Sequence, residues 1–158
     1  MSEESQTRRL ISPLSGSYTV PQPIDRWAIL IGISQYQYEH LNLRYADCDA
    51  ESLCQLLLSP IGGSFPSDQI CKLTNTEATT AAITLALRSF LKKPARHDMV
   101  IIYFACHGSP DPDRPENLYL ITHDTNPRDI EGTALPMREI DLCIRENLLV
   151  LRQLKYLG

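Results

Sequence analysis

Histidine and cysteine are the side chains best able to exchange a proton near neutral pH, and this 158-residue chain holds four of the first and five of the second. One histidine stands apart by position. His107 leaves the most apolar run of the chain, MVIIYFAC at residues 99–106, and Gly108 follows it. An imidazole at the end of a buried strand can take or deliver a thiol proton. A glycine beside it leaves room for a substrate carbonyl to approach a backbone N–H, which can hold an oxyanion. His40, His97 and His123 fall in polar loops or at element edges and read as solvated surface. The cysteines (Cys48, Cys54, Cys71, Cys106, Cys143) are odd in number and lack a CxxC pair, which predicts free thiols rather than a disulfide frame or a zinc site. Cys48, Cys54, Cys71 and Cys143 read as small hydrophobes of the interior. Cys106 precedes His107 on a strand and must face the other way. Cys143 lies mid-helix among core positions, so neither thiol is placed to pair with His107.

The elements that would position His107 follow from periodicity. RWAILIGIS (residues 26–34) and QICKLTN (69–75) are short apolar runs flanked by turn residues, as strands covered on both faces are. Between them ADCDAESLCQLLLSP puts Ala50, Leu53, Leu57 and Leu58 on one helical face, with Pro60 closing the helix. Thr79 predicts the cap of a second helix reaching about residue 93, with Ile83, Leu87, Phe90 and Leu91 inward. The run at 99–106 is the strongest strand. After the polar loop SPDPDRPEN comes a shorter strand, LYLIT, and Thr133 and Pro136 predict the start of a last helix carrying Met137, Ile140 and Ile144. Strands alternating with helices predict an α/β fold, a mainly parallel sheet with helices on both faces. Chemistry in such a sheet sits at the carboxyl ends of its strands, where His107 falls.

Bulk properties bound the functions available. With 43% apolar and 22% charged residues and a formal charge of -4, the chain reads as one globular domain with no broad basic surface for nucleic acid or anionic lipid. No apolar run approaches the ~20 residues of a membrane helix, and the first residues lack the apolar core of a secretory signal. The expected location is the cytoplasm. Residues 1–24, rich in Ser, Pro, Gly and Thr, predict a flexible tail ahead of a domain over 25–148, with an atypical end at 149–158.

Five segments in order, RWAILIGISQY, LRYADCDAESL, LTNTEATTAAI, MVIIYFACHGSPDPDRPENLYLITHDT and GTALPMREID, resemble the large catalytic subunit of bacterial caspase-like cysteine peptidases, the group of metacaspases and orthocaspases. The resemblance implies a caspase–hemoglobinase-like three-layer α/β/α sandwich, cleavage of peptide or protein substrates by a Cys/His dyad, His107 as the dyad histidine and Gly108 as an oxyanion donor. It also implies that Asp49, with Asp47 a neighbour, lines an acidic pocket for a basic P1 residue. Both aspartates equally suit the start of a helix, where carboxylates meet backbone N–H groups and the positive dipole end. Arg44 nearby leaves P1 preference open. Some metacaspases bind calcium, and Asp111, Asp113 and Glu116 could offer oxygen ligands, although they form no EF-hand loop; no metal or other cofactor is expected.

In the family a further parallel strand carries the nucleophile in an Asp-x-Cys turn. Here the last helix ends near residue 147 and LLVLRQLKYLG follows, with no Asp-x-Cys. The expectation is a large-subunit half truncated before the nucleophile and inactive alone. Activity would require a caspase-like chain supplying the missing half. The alternatives are a pseudopeptidase or binding module that pairs with an intact relative, or a frameshifted remnant. Residues 148–157 could extend the helix or form a replacement strand.

Overall fold

The computed structural model describes residues 24–149. Three parallel strands, β1 (Arg26–Gly32), β2 (Ile70–Thr74) and β3 (Met99–Ala105), form a sheet in the order β2-β1-β3. Ile29 of β1 lies opposite Cys71 of β2 and Ile102 of β3. Residues 1–23 of the expected tail and the last nine residues of the expected atypical end lie outside the described residues.

Helix α1 (Ala46–Leu58) covers one face, where Ala28 and Leu30 of β1 meet Cys54, Leu57 and Phe65. Helices α2 (Thr80–Phe90) and α4 (Met137–Ile144) cover the other, where Ile29, Ile31 and Ile33 pack with Ile83, Leu87, Phe90 and Ile140. The resulting α/β/α layering is the expected fold class. Thr79 caps α2 as its position predicts, its hydroxyl accepting from the Ala82 N–H at 3.2 Å. The helix stops at Phe90, short of residue 93, where Leu91 starts the turn that leads to Pro94.

The chain after β3 departs from expectation. A second, antiparallel sheet forms from β4 (Gly108–Pro110), β5 (Leu118–Leu120) and β6 (Leu135–Pro136), so LYL does not join the parallel sheet. These strands have two or three residues each and no readable alternation, which is why periodicity missed β4 and β6. Thr133 ends the four-residue helix α3 (Ile130–Thr133) rather than opening the next one. Pro136 is the cap residue of α4, whose Met137 is 40% exposed rather than inward. A short π-helix, Arg145–Leu149, continues from α4.

One close approach fixes where α1 begins. A Cβ on Gly32 would stand 2.4 Å from the Ala46 carbonyl oxygen and 2.6 Å from Ala50 Cβ, so only glycine lets the end of β1 touch the first turn of α1. Gly32→Ala is expected to lower the unfolding free energy by about 1–3 kcal/mol, as overpacking does. Urea denaturation would reveal it as a lowered midpoint, and an unchanged midpoint would contradict the packing.

Candidate active site

Strand β3 delivers His107 to the carboxyl edge of the parallel sheet, and three backbone-level contacts hold it there. The ring Nε2 lies 2.9 Å from the Leu41 carbonyl oxygen. A carbonyl oxygen can only accept, so Nε2 carries a proton, and in the neutral tautomer of this ring the lone pair lies on Nδ1. The His107 N–H donates to the Tyr36 hydroxyl at 3.1 Å, and the Tyr36 ring packs against the imidazole with centroids 5.4 Å apart. The His107 carbonyl accepts from the Ile121 N–H at 2.8 Å. Tyr36 is itself buried, and that burial pushes its hydroxyl up to about 12, so it stays a neutral phenol.

Leu41 is brought to the histidine by a folded connection between β1 and α1. A one-turn 3-10 helix, Glu39–Leu41, is closed by the Leu41 N–H donating to the Tyr38 carbonyl and the Asn42 N–H to the Glu39 carbonyl. Asn42 Oδ1 accepts from the Tyr36 N–H at 2.8 Å, and the Leu43 N–H donates to the Ser34 carbonyl. Neither Tyr36 nor the Leu41 carbonyl is legible in sequence as a partner of His107. The interaction uses a main-chain oxygen, which every residue has, and an aromatic ring that reads as core.

The Gly108 N–H is free of the β4–β5 ladder. Gly108 faces Leu120, and the bond from Ile121 N–H to His107 makes this a non-hydrogen-bonded pair, so its N–H points away from β5. A Cβ here would meet only the Tyr119 carbonyl oxygen, at an ordinary 3.8 Å. The fold itself does not demand a glycine at this position. Leu41, His107, Gly108, Ser109, Ile121, Thr125, Pro127 and Ile130 line a cleft of about 190 Å³.

Cys106 packs among the apolar side chains on the α2 and α4 side of the sheet and makes no hydrogen bond with His107 among the described residues. Burial pushes its thiol up to about 11, the reverse of an activated cysteine. Cys143 is buried in α4 and its thiol is also raised by burial. Cys54 is buried as expected, whereas Cys71 is half-buried and Cys48 is exposed in the first turn of α1. Cys48 is therefore not a core hydrophobe: its side chain falls on the solvent face of a helix whose inward positions are Ala46 and Ala50.

Asp47 and Asp49 diverge. The Asp47 carboxylate accepts from the Ser34 hydroxyl at 2.6 Å, Asn75 Nδ2 at 2.9 Å and the Cys48 N–H at 2.9 Å. Asn75 Oδ1 in turn accepts from the N–H groups of Ser34 and Gln35. This network ties the ends of β1 and β2 to α1. Those donors, the Ser34 hydroxyl first and the Asn75 amide second, hold the Asp47 carboxyl below its usual range. Asp49 is exposed on α1 and its carboxylate has no hydrogen-bond partner among the described residues. It shares the sheet's carboxyl edge with His107 but does not line the His107 cleft. Asp111 is 4% exposed and accepts from the N–H groups of Asp113 and Arg114, a clip within its own loop. Asp113 and Glu116 are exposed, and among the described residues no three His, Cys, Asp or Glu side chains cluster as metal ligands would. His40 and His97 are exposed, as expected. His123 is more constrained, with Nδ1 2.7 Å from the Gln35 carbonyl oxygen.

Comparison with known proteins gives the family and the fold. The caspase domain profile, Peptidase_C14, matches residues 25–147, and the chain belongs to that family. Among solved structures it is similar to protein GSU0716 from Geobacter sulfurreducens, with a TM-score of 0.61 and 17% identity over 78% of this chain. The match covers 46% of that protein, so the chain spans about half its length. No curated protein matches the chain. Among the described residues no helix is long and apolar enough to cross a membrane.

Two measurements check the site. In native protein at pH 8, iodoacetamide is expected to modify exposed Cys48 well before Cys106, as mapped by mass spectrometry. Preferential labelling of Cys106 would mark it as an activated thiol and contradict its burial. Because the folded Asp47 carboxyl lies below its unfolded value, its contribution to stability is present above about pH 4 and fades as pH falls through the folded value. Asp47→Asn should therefore lower the melting temperature at pH 7. The gap from the parent should shrink below pH 4, and a gap independent of pH would contradict the assignment.

Proposed function

We propose that this chain provides the histidine half of a cysteine endopeptidase site, and that the nucleophilic thiol reaches it on a further strand laid along β3. The observation that carries the reading is His107, its Nε2 proton engaged by the Leu41 carbonyl, beside a Gly108 N–H free of the sheet. In the reaction, Nδ1 of His107 takes the thiol proton and the sulfur attacks the scissile carbonyl carbon. The Gly108 N–H donates to the oxyanion. Collapse expels the amine, which receives the proton from His107, and water then cleaves the thioester to the carboxylic acid and restores the thiol. No metal or cofactor enters these steps. We assign Asp49, of the metacaspase type, to the recognition of a basic P1 side chain, with Asp47 positioning the helix turn that bears it.

The half-buried state of β3 supports the docking strand. All seven of its residues are apolar, yet none is fully buried, while its neighbour β1 has Ala28, Ile29, Leu30 and Ile31 at 0% exposure. Among the described residues β3 pairs only with β1. An apolar edge of this kind is completed by another strand. The same edge supports a second reading, a catalytically inactive module that pairs with an intact relative. Mixing the chain with an intact caspase-domain protein whose own histidine is replaced by alanine separates the two. Cleavage of arginine- or lysine-ending peptides should appear with the parent chain and fall at least 100-fold with His107→Ala. Complex formation without cleavage supports the inactive module, and neither complex nor cleavage defeats both.

A further inference from the structure

The geometry points to a second specificity pocket next to the His107 cleft, one that receives a carboxylate side chain of the bound peptide. This rests on the reading of the His107 cleft as a peptide site and adds the chemistry of a second substrate position. Tyr38, His40, Asn126, Pro127 and Arg128 line an open pocket of about 480 Å³. Pro127 lines this cavity and also the cleft of His107, so the two adjoin. His40 and Leu41 are consecutive, which puts the wall of the second pocket one residue from the carbonyl that holds the histidine ring. A peptide lying across His107 passes the second pocket with a side chain close to the scissile bond.

The charge of the pocket selects what enters it. The Arg128 guanidinium is exposed and makes no ion pair among the described residues, unlike Arg88, Arg114 and Arg145. The acids nearest to it in sequence are committed elsewhere. Asp124 accepts from the Thr80 N–H and the Thr122 hydroxyl, Asp129 accepts from the Gly132 N–H, and Glu131 pairs with Arg114. A guanidinium left open in this way is matched in shape and charge by a carboxylate. The Tyr38 and His40 rings, edge to face with centroids 6.2 Å apart, form a wall for the aliphatic part of the side chain.

Both walls are fixed in advance. The Arg128 N–H donates to Asn126 Oδ1, the Asn126 N–H to the Thr133 hydroxyl and the Asp129 N–H to the Asn126 carbonyl. On the other side, the 3-10 turn is closed by its own hydrogen bonds, and Asn42 anchors it to Tyr36. The ordering left to oppose binding is that of the exposed Arg128 side chain itself. With Asp49 assigned to a basic residue, the substrate class becomes peptides carrying Lys or Arg at the cut and Asp or Glu at a nearby position.

Fluorescence anisotropy with the full chain and labelled peptides tests this, using one arginine per peptide and Glu or Gln at each flanking position in turn. Chemical shifts of the His107 ring in the same titrations report whether the cleft is occupied. At one position the Glu peptide should bind roughly tenfold tighter than its Gln counterpart. Arg128→Gln should reduce that preference to less than twofold, with both peptides still moving the His107 signals. Equal binding of Glu and Gln peptides at every position, with the His107 signals still moving, overturns the acid pocket and leaves the cleft reading intact. A Glu preference that survives Arg128→Gln also overturns it. Failure of every peptide to move His107 overturns the cleft reading and this inference together.

Discussion

The hydrogen bond from His107 Nε2 to the Leu41 carbonyl is the constraint on which the site depends. It fixes the tautomer, and with it which nitrogen can act as a base. It also joins two parts of the chain that meet only in the folded protein: the end of β3 and the turn after β1. Everything upstream exists to hold those two ends in register. β1 and β3 pair residue for residue from Arg26–Met99 to Gly32–Ala105, so the last turn of the backbone before His107 is set by the most buried strand of the molecule. Shift that pairing by one residue and His107 would move to the other face, exchanging places with Cys106.

The second sheet completes the frame from the far side. Ile121 N–H binds the His107 carbonyl, and Ile121 is followed by Thr122 and Thr125, whose buried hydroxyls lie 2.8 Å apart, the Thr122 hydroxyl also meeting that of Thr80 at the start of α2. The backbone of His107 is thus held by its N–H, through Tyr36, and by its carbonyl, through Ile121, while the ring is held at Nε2. One N–H in this region stays unengaged by the ladder, that of Gly108.

Much of the frame was legible in sequence. The Ile-rich run of β1, the Thr79 cap and the 3.6-residue spacing of Ile83, Leu87 and Phe90 each specify their element locally, and the apolar run ending before His107 specifies β3. What stayed hidden depended on distance in sequence or on main-chain atoms. β4 and β6 are too short to carry a period. The partners of His107 are an ordinary carbonyl 66 residues away and a tyrosine 71 residues away. Asp47 and Asp49 are indistinguishable by type. Only the placement of Ser34 and Asn75 separates the carboxylate that secures the helix from the one left exposed to solvent.

The central claim is that the Leu41 carbonyl holds a proton on His107 Nε2, and nitrogen-15 NMR of the imidazole tests it most directly. For the neutral ring of the native chain, long-range proton–nitrogen correlation should show Nε2 as the protonated, pyrrole-type nitrogen and Nδ1 as the bare, pyridine-type one. A ring protonated at Nδ1, or one averaging freely between tautomers, would contradict the account.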